Sequence, residues 1–181
     1  MVYALMIARK LNYSEQKMTI LGMGTLLHDI GKMLIDKDVM FKEGELTQQE
    51  YQYVKMHALY GYQAMRRITA LPEQVRQIAY MHHERLDGSG YPQGLMGSDL
   101  NEYVRIVSIA DVYDALTTDR CYRKKWPANK AMDFLMERSE KEFDPELVGL
   151  FTQQLAVYPN GSLVRLSNQF LGIVAEQNRS M

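Results

Sequence analysis

At 181 residues the chain is long enough for one domain with its own core, and 46% hydrophobic with 24% charged residues is the balance of a globular protein. A net charge of -1 supplies no global field for a long polyanion, which argues against DNA binding. No apolar run approaches the ~20 residues needed to cross a bilayer, no signal-peptide core is present, and the single Cys121 excludes an intrachain disulfide and fits a reducing, cytoplasmic setting.

Residues 2–11 predict an amphipathic helix already under way at its first residue, with no capping side chain before it. Ser14 is an N-cap for a helix over 15–28. Gly31 is expected to loosen the chain, and 33–44 reads as a loop. Thr47-Gln48-Gln49-Glu50 is a capping box that opens a helix to about residue 69. A further helix runs over about 71–83, and the turn formers of 87–94 make an irregular loop. Helical spacing returns over 101–116, then after Pro127 to about residue 137, and from Asp144-Pro145 to about 155. Residues 161–176 alternate and predict a two-stranded hairpin. The expected fold is an all-α bundle with a small C-terminal β-hairpin, one domain over 1–181. The methionines at helical positions (Met18, Met23, Met56, Met65, Met81) are expected in the core, and Tyr122 and Trp126 are expected to pack.

Chemistry concentrates on the four histidines, His28, His57, His82 and His83, each at a predicted helix end or beside a loop. His28-Asp29 are adjacent, so their side chains diverge on a helix and suit two metal ions side by side, with one Asp29 oxygen for each. His82-His83 is a second adjacent pair, followed by Glu84. Asp111 stands in an apolar helix where an unpaired carboxylate is costly to bury, and Asp114 shares its face. Imidazole and carboxylate donors without thiolate point to Fe, Mn, Zn or Ni.

These blocks resemble one family. Leu27-His28-Asp29-Ile30-Gly31-Lys32 is similar to the HD motif of metal-dependent phosphohydrolases, and His82-His83-Glu84-Arg85-Leu86-Asp87-Gly88-Ser89-Gly90-Tyr91-Pro92 resembles the signature of their HD-GYP subfamily. Residues 109–123 and the 158–167 tail resemble its later blocks, so the likeness covers nearly the whole chain. The resemblance implies an HD-type helical bundle that hydrolyses cyclic di-GMP to a linear dinucleotide, and leaves open whether hydrolysis stops there or goes on to GMP. It implies two transition-metal ions, Fe or Mn before Zn or Ni, held by His28, Asp29, His57, His82, His83 and Asp111. Asp29 and Lys32 are the implied catalytic residues, and Lys32, Tyr91, Arg120 and Arg123 the implied substrate contacts. The Gly90-Tyr91-Pro92 loop is the implied contact for a diguanylate cyclase (GGDEF) domain, and a homodimer is compatible with this reading. A further upstream histidine of the family would fall before Met1 at family spacing, so either the first helix lacks its start or the first metal site is incomplete. Ala58 and Cys121 stand where the family commonly has proline.

The mechanism expected from these residues is in-line hydrolysis. Two cations sharing Asp29 activate water and neutralise phosphate charge, while Lys32 and Arg120 stabilise charge as it develops. Two rival readings use the same residues: a cyclic-dinucleotide sensor or cyclase-docking module that does not hydrolyse, and a hydrolase for another phosphate ester. Lys124 and Lys125 read as a solvated turn. Arg120→Ala is expected to keep the metal and weaken substrate binding, measured by metal analysis and ligand titration. Metal loss equal to that of Asp29→Ala would contradict the role given to Arg120.

Overall fold

The computed structural model of the chain describes residues 1–119, 124–155, 161–166 and 168–176. They fold into helices α1 (Val2–Lys10), α2 (Glu15–Leu27), α3 (Lys37–Met40), α4 (Gln48–Lys55), α5 (His57–Met65), α6 (Glu73–Met81), α7 (Glu102–Thr117), α8 (Ala128–Glu137) and α9 (Pro145–Thr152). Strands β1 (Leu163–Arg165) and β2 (Leu171–Ile173) pair antiparallel, Val164 opposite Gly172. No helix among the described residues is long and apolar enough to cross a membrane.

Local chemistry sets most of the boundaries. The Ser14 side chain accepts from Lys17 N, Asn101 from Val104 N, and Asp144 from Glu146 N and Leu147 N, so each satisfies amides that the following helix leaves open. Thr47 and Glu50 form the reciprocal capping box. The hairpin turn uses Gln169 at a φ of 72°, with Leu166 N donating to Phe170 O at 2.8 Å.

Helix α7 forms the axis of the core. Val104, Ile106, Val107, Ile109, Ala110 and Tyr113 are all buried, so this helix meets protein on several sides. Helices α1, α6, α8 and α9 pack on it, contributing Ile7, Ile78, Leu135 and Phe151, each with no exposure. Burying one such side chain contributes about 1.5–3 kcal/mol. Tyr3 of α1 meets Tyr113 and Phe151 edge-on, with ring centroids 4.9 and 5.8 Å apart. Arg105 reaches from α7 to the α9 cap, its Nη1 2.7 Å from Asp144 Oδ2. A smaller cluster of Met65, Val75 and Ala79 joins α2, α5 and α6. Met65 is buried, while Met18, Met81 and Met23 pack against the two clusters. Trp126 packs as well, edge-on to Phe134 at 5.8 Å, and Lys124 and Lys125 are exposed.

The structure departs from the sequence reading in three places. Residues 33–44 are not a plain loop, because a 3-10 turn covers Ile30–Leu34 and Asp36 caps the short α3 through Asp38 N. The helix expected over 47–69 is split at Met56, where the Met56 N–H donates three residues back to Tyr53 O and the His57 side chain takes the Val54 carbonyl. Gly31 does not loosen the chain. It is buried where the 3-10 turn crosses α5, and a Cβ there would run into the His57 carbonyl and the Gly61 amide. Gly31→Ala is therefore expected to cost about 3 kcal/mol, the upper range for overpacking against unyielding backbone. Denaturant unfolding measures it; a change under about 0.5 kcal/mol, the size of a neutral surface substitution, would contradict the close crossing.

Candidate metal centre

Helix ends and one buried helix deliver every candidate ligand. His28 is the C-cap of α2, Asp29 opens the 3-10 turn, and His57 is the first residue of α5. His82 is the C-cap of α6 with His83 next in the chain, and Asp111 lies inside α7.

Carbonyls in the last turn of a helix have no partner within it, and three of the histidines use them. His28 Nδ1 lies 2.9 Å from Thr25 O, His57 Nδ1 2.7 Å from Val54 O, and His82 Nδ1 3.0 Å from Ala79 O. A carbonyl only accepts, so each Nδ1 carries a proton and each ring turns its Nε2 toward the site.

Those Nε2 atoms converge on Asp29. Its Oδ1 lies 3.5 Å from His57 Nε2 and 3.7 Å from His82 Nε2. Its Oδ2 lies 3.4 Å from His28 Nε2 and also meets the Lys32 ammonium. His28 Nε2 is 3.6 Å from Asp111 Oδ1, and Asp111 Oδ2 is 3.9 Å from His83 Nδ1. Asp29 thus stands between two donor sets, with His57 and His82 on one oxygen and His28 on the other. One donor atom each from Asp29, His57, His82 and His83 fit within 4.8 Å of one another. A cavity of about 120 Å³ opens beside them, lined by Met1, Thr25, His28, Asp29, Asp111 and Asp114 among others.

Burial would raise both carboxyl groups, but the surrounding basic groups hold them well below the usual carboxylate range: His82, His28 and Lys32 for Asp29, and His28, His82 and His83 for Asp111. Both are therefore ionised. Burial and the neighbouring His82 push the His57 imidazole down to about 4, and the same causes hold His83 far below its ordinary range. Burial also works to lower His28, yet Asp111 and Asp29 raise it above its usual value.

The residues fit a metal ion. His57 and His82 are 1% and 0% exposed, and their Nε2 atoms are 3.4 Å apart. The two Nε2 atoms face each other there, and Asp29 Oδ1 beside them is buried without a hydrogen bond. Buried acceptors without a donor are costly, and a shared cation relieves the cost. Nitrogen and oxygen donors without thiolate suit first-row divalent ions.

The chain after His83 is fastened tightly. Glu84 is 1% exposed, and its carboxylate accepts from Gln93 N at 2.7 Å and Leu95 N at 3.1 Å. Gly90 lies against the backbone of residues 83–85, leaving no room for a Cβ. Tyr91 N donates to His83 O, and the Tyr91 ring stacks on the His83 imidazole with centroids 4.6 Å apart. Burial raises the Tyr91 hydroxyl above its ordinary range, so it is a neutral phenol.

All six ligands inferred from sequence are brought together, and Lys32 and Tyr91 border them. Arg120 and Arg123 lie outside the described residues. Two participants escaped the sequence reading. Glu84, read there as a carboxylate beside the histidine pair, instead holds a loop nine to eleven residues on, a contact no local pattern reveals. Lys55 rests over the Tyr91 ring, and its i,i+4 spacing from Tyr51 was the available signal.

A family model for the HD domain matches residues 1–147. The chain belongs to the HD domain family. It is 39% identical over 182 residues to cyclic di-GMP phosphodiesterase PA4108 of Pseudomonas aeruginosa, covering 98% of this chain and 43% of that protein. It is 35% identical over 159 residues to 3'3'-cGAMP-specific phosphodiesterase 3 of Vibrio cholerae, covering 88% and 34%. The fold is similar to Bd1817, an HDG"Y"P protein from Bdellovibrio bacteriovorus, with a TM-score of 0.68 at 23% identity over 82% of this chain and 47% of that one. The chain spans less than half the length of each of these proteins.

Glu84→Ala removes the carboxylate that accepts from the Gln93 and Leu95 amides and is expected to cost about 1.5–3 kcal/mol, the range for hydrogen bonds to a charged group. Hydrogen exchange should speed up at Gln93 and Leu95. Unchanged exchange at both amides would contradict the tether.

Proposed function

We propose that this chain is the catalytic domain of a metal-dependent phosphodiesterase that opens cyclic di-GMP to the linear dinucleotide. The observation that carries this reading is the convergence of three imidazole Nε2 atoms on the two oxygens of Asp29. The two donor sets support a two-ion centre, with His57, His82 and His83 on one side of Asp29 and His28 and Asp111 on the other. Fe or Mn suits this nitrogen–oxygen set best, with Zn or Ni as substitutes. When bound, such ions supply a water activated near neutral pH and charge neutralisation at phosphate. Cyclic di-GMP is favoured as substrate because PA4108 carries that activity in its name and matches nearly the whole of this chain. The proposal extends to the Gly90-Tyr91-Pro92 loop as a contact for a GGDEF domain, and to work in the cytoplasm.

The reaction adds water to one phosphorus and breaks one P–O ester bond. Water gives up a proton and the departing ribose oxygen takes one up. Asp29 and Asp111, held ionised, keep the ligand set negative enough to retain cations in a partly buried place. Lys32, resting on Asp29 Oδ2, sets an ammonium beside the incoming phosphate, where it neutralises developing charge and can protonate the departing oxygen. The Nδ1 hydrogen bonds keep three rings from turning, so the donors are aimed before substrate arrives.

The decisive assay incubates reduced, Mn- or Fe-loaded protein with cyclic di-GMP and, in parallel, 3'3'-cGAMP, and resolves the products by chromatography. Turnover of cyclic di-GMP to linear product is expected, with bound metal near two per chain, and Asp29→Ala should lose both metal and activity. Tight binding without turnover would support the sensor reading, and exclusive turnover of 3'3'-cGAMP would move the substrate assignment.

A further inference from the structure

Helix α4 carries Tyr51 and Lys55 four residues apart, on one face. The Lys55 ammonium sits 4.7 Å from the Tyr51 ring centroid and 4.9 Å from that of Tyr91. Tyr91 in turn stacks on His83, and its ring centroid is 6.4 Å from that of His57. A full positive charge therefore stands one aromatic ring away from the imidazoles of the centre. Among the described residues Lys55 has no carboxylate within ion-pair distance; its partners are the two π faces. Lys32, Lys42 and Arg85, by contrast, have Asp29, Glu50 and Glu142.

The placement is unfavourable unless an anion arrives. Ordering a lysine side chain costs rotamer freedom, ring contacts return only part of it, and the ammonium repels any cation held nearby. A cyclic dinucleotide brings two phosphates. While one reacts at Asp29 and the histidines, the other keeps its charge and needs a donor elsewhere. The Tyr91 ring separates Lys55 from the ligand set, so the phosphate within its reach is not the one under attack. We infer that Lys55 is a substrate contact: its ammonium, held between the Tyr51 and Tyr91 rings, binds the phosphate of the cyclic dinucleotide that is not being hydrolysed. This rests on the cyclic-dinucleotide reading of the site.

The test compares wild type, Lys55→Met, Lys55→Gln and Lys55→Arg as Mn-loaded full chains on two substrates. One is cyclic di-GMP; the other is bis(4-nitrophenyl) phosphate, whose single phosphate has no use for a second contact. Lys55→Met keeps the apolar stem between the rings, and its KM for cyclic di-GMP should rise about ten-fold while kcat stays within about two-fold, the signature of a lost charged hydrogen bond used equally in ground and transition states. Metal content and bis(4-nitrophenyl) phosphate kinetics should match wild type in every variant. Lys55→Gln should follow Lys55→Met and covers the case in which that variant does not fold, and Lys55→Arg should recover most of the affinity. Unchanged KM in the folded charge-free variants, or an equal loss on both substrates, overturns the assignment of Lys55 alone. Wild type that cleaves bis(4-nitrophenyl) phosphate but neither binds nor cleaves cyclic di-GMP overturns the substrate reading and takes the Lys55 contact with it.

Discussion

Three hydrogen bonds from imidazole Nδ1 to helix carbonyls, at Thr25, Val54 and Ala79, are the constraint on which the site depends. A carbonyl at a helix end has no amide of its own helix to accept from, so a histidine placed there satisfies it and has its tautomer decided in the same contact. The other nitrogen of each ring then points at Asp29. The result is a ring of imidazoles around a carboxylate that stays ionised and has one oxygen buried without a hydrogen bond, stable in company with positive charge and costly without it. Lys32 supplies one such charge, and the ligand geometry leaves donors for more.

The surrounding fold serves to hold these helix ends still. Gly31 lets the 3-10 turn lie directly on α5, which brings Asp29 to His57. The tightened turn at Met56 restarts the helix with His57 inward. Buried α7 carries Asp111 past the other side of His28. Glu84 then fastens the loop that sets Tyr91 against His83, so the rim of the site is as firmly placed as its floor. In this arrangement a packing residue far along the chain and a ligand are parts of one device, because the ligand distances follow from the helix crossings.

Much of this was legible from residue types and local spacing. Adjacent His–Asp and His–His pairs at helix ends, and a carboxylate amid the apolar residues of 104–113, marked the candidate ligands that the fold brings together. Ser14, Thr47, Asn101 and Asp144 marked the helix starts, since a cap acts within three residues. What escaped was set by distance along the chain. Gly31 reads locally as a helix breaker, yet its role is fixed by a carbonyl 26 positions on, at His57. The split at Met56 depends on the His57 ring taking a backbone carbonyl, which propensity cannot express. Glu84 sits in the signature among ligands but turns to amides of the following loop, and its burial rather than its identity reveals the task.

The most direct measurement of the central claim is the tautomeric state of His57 and His82, read by long-range proton–nitrogen NMR correlation at pH 7.5 with and without added Zn. The account predicts protons on Nδ1 of both rings without metal, and a shift confined to the Nε2 nitrogens when Zn is added. Protons on Nε2, or Nε2 signals indifferent to Zn, would contradict it.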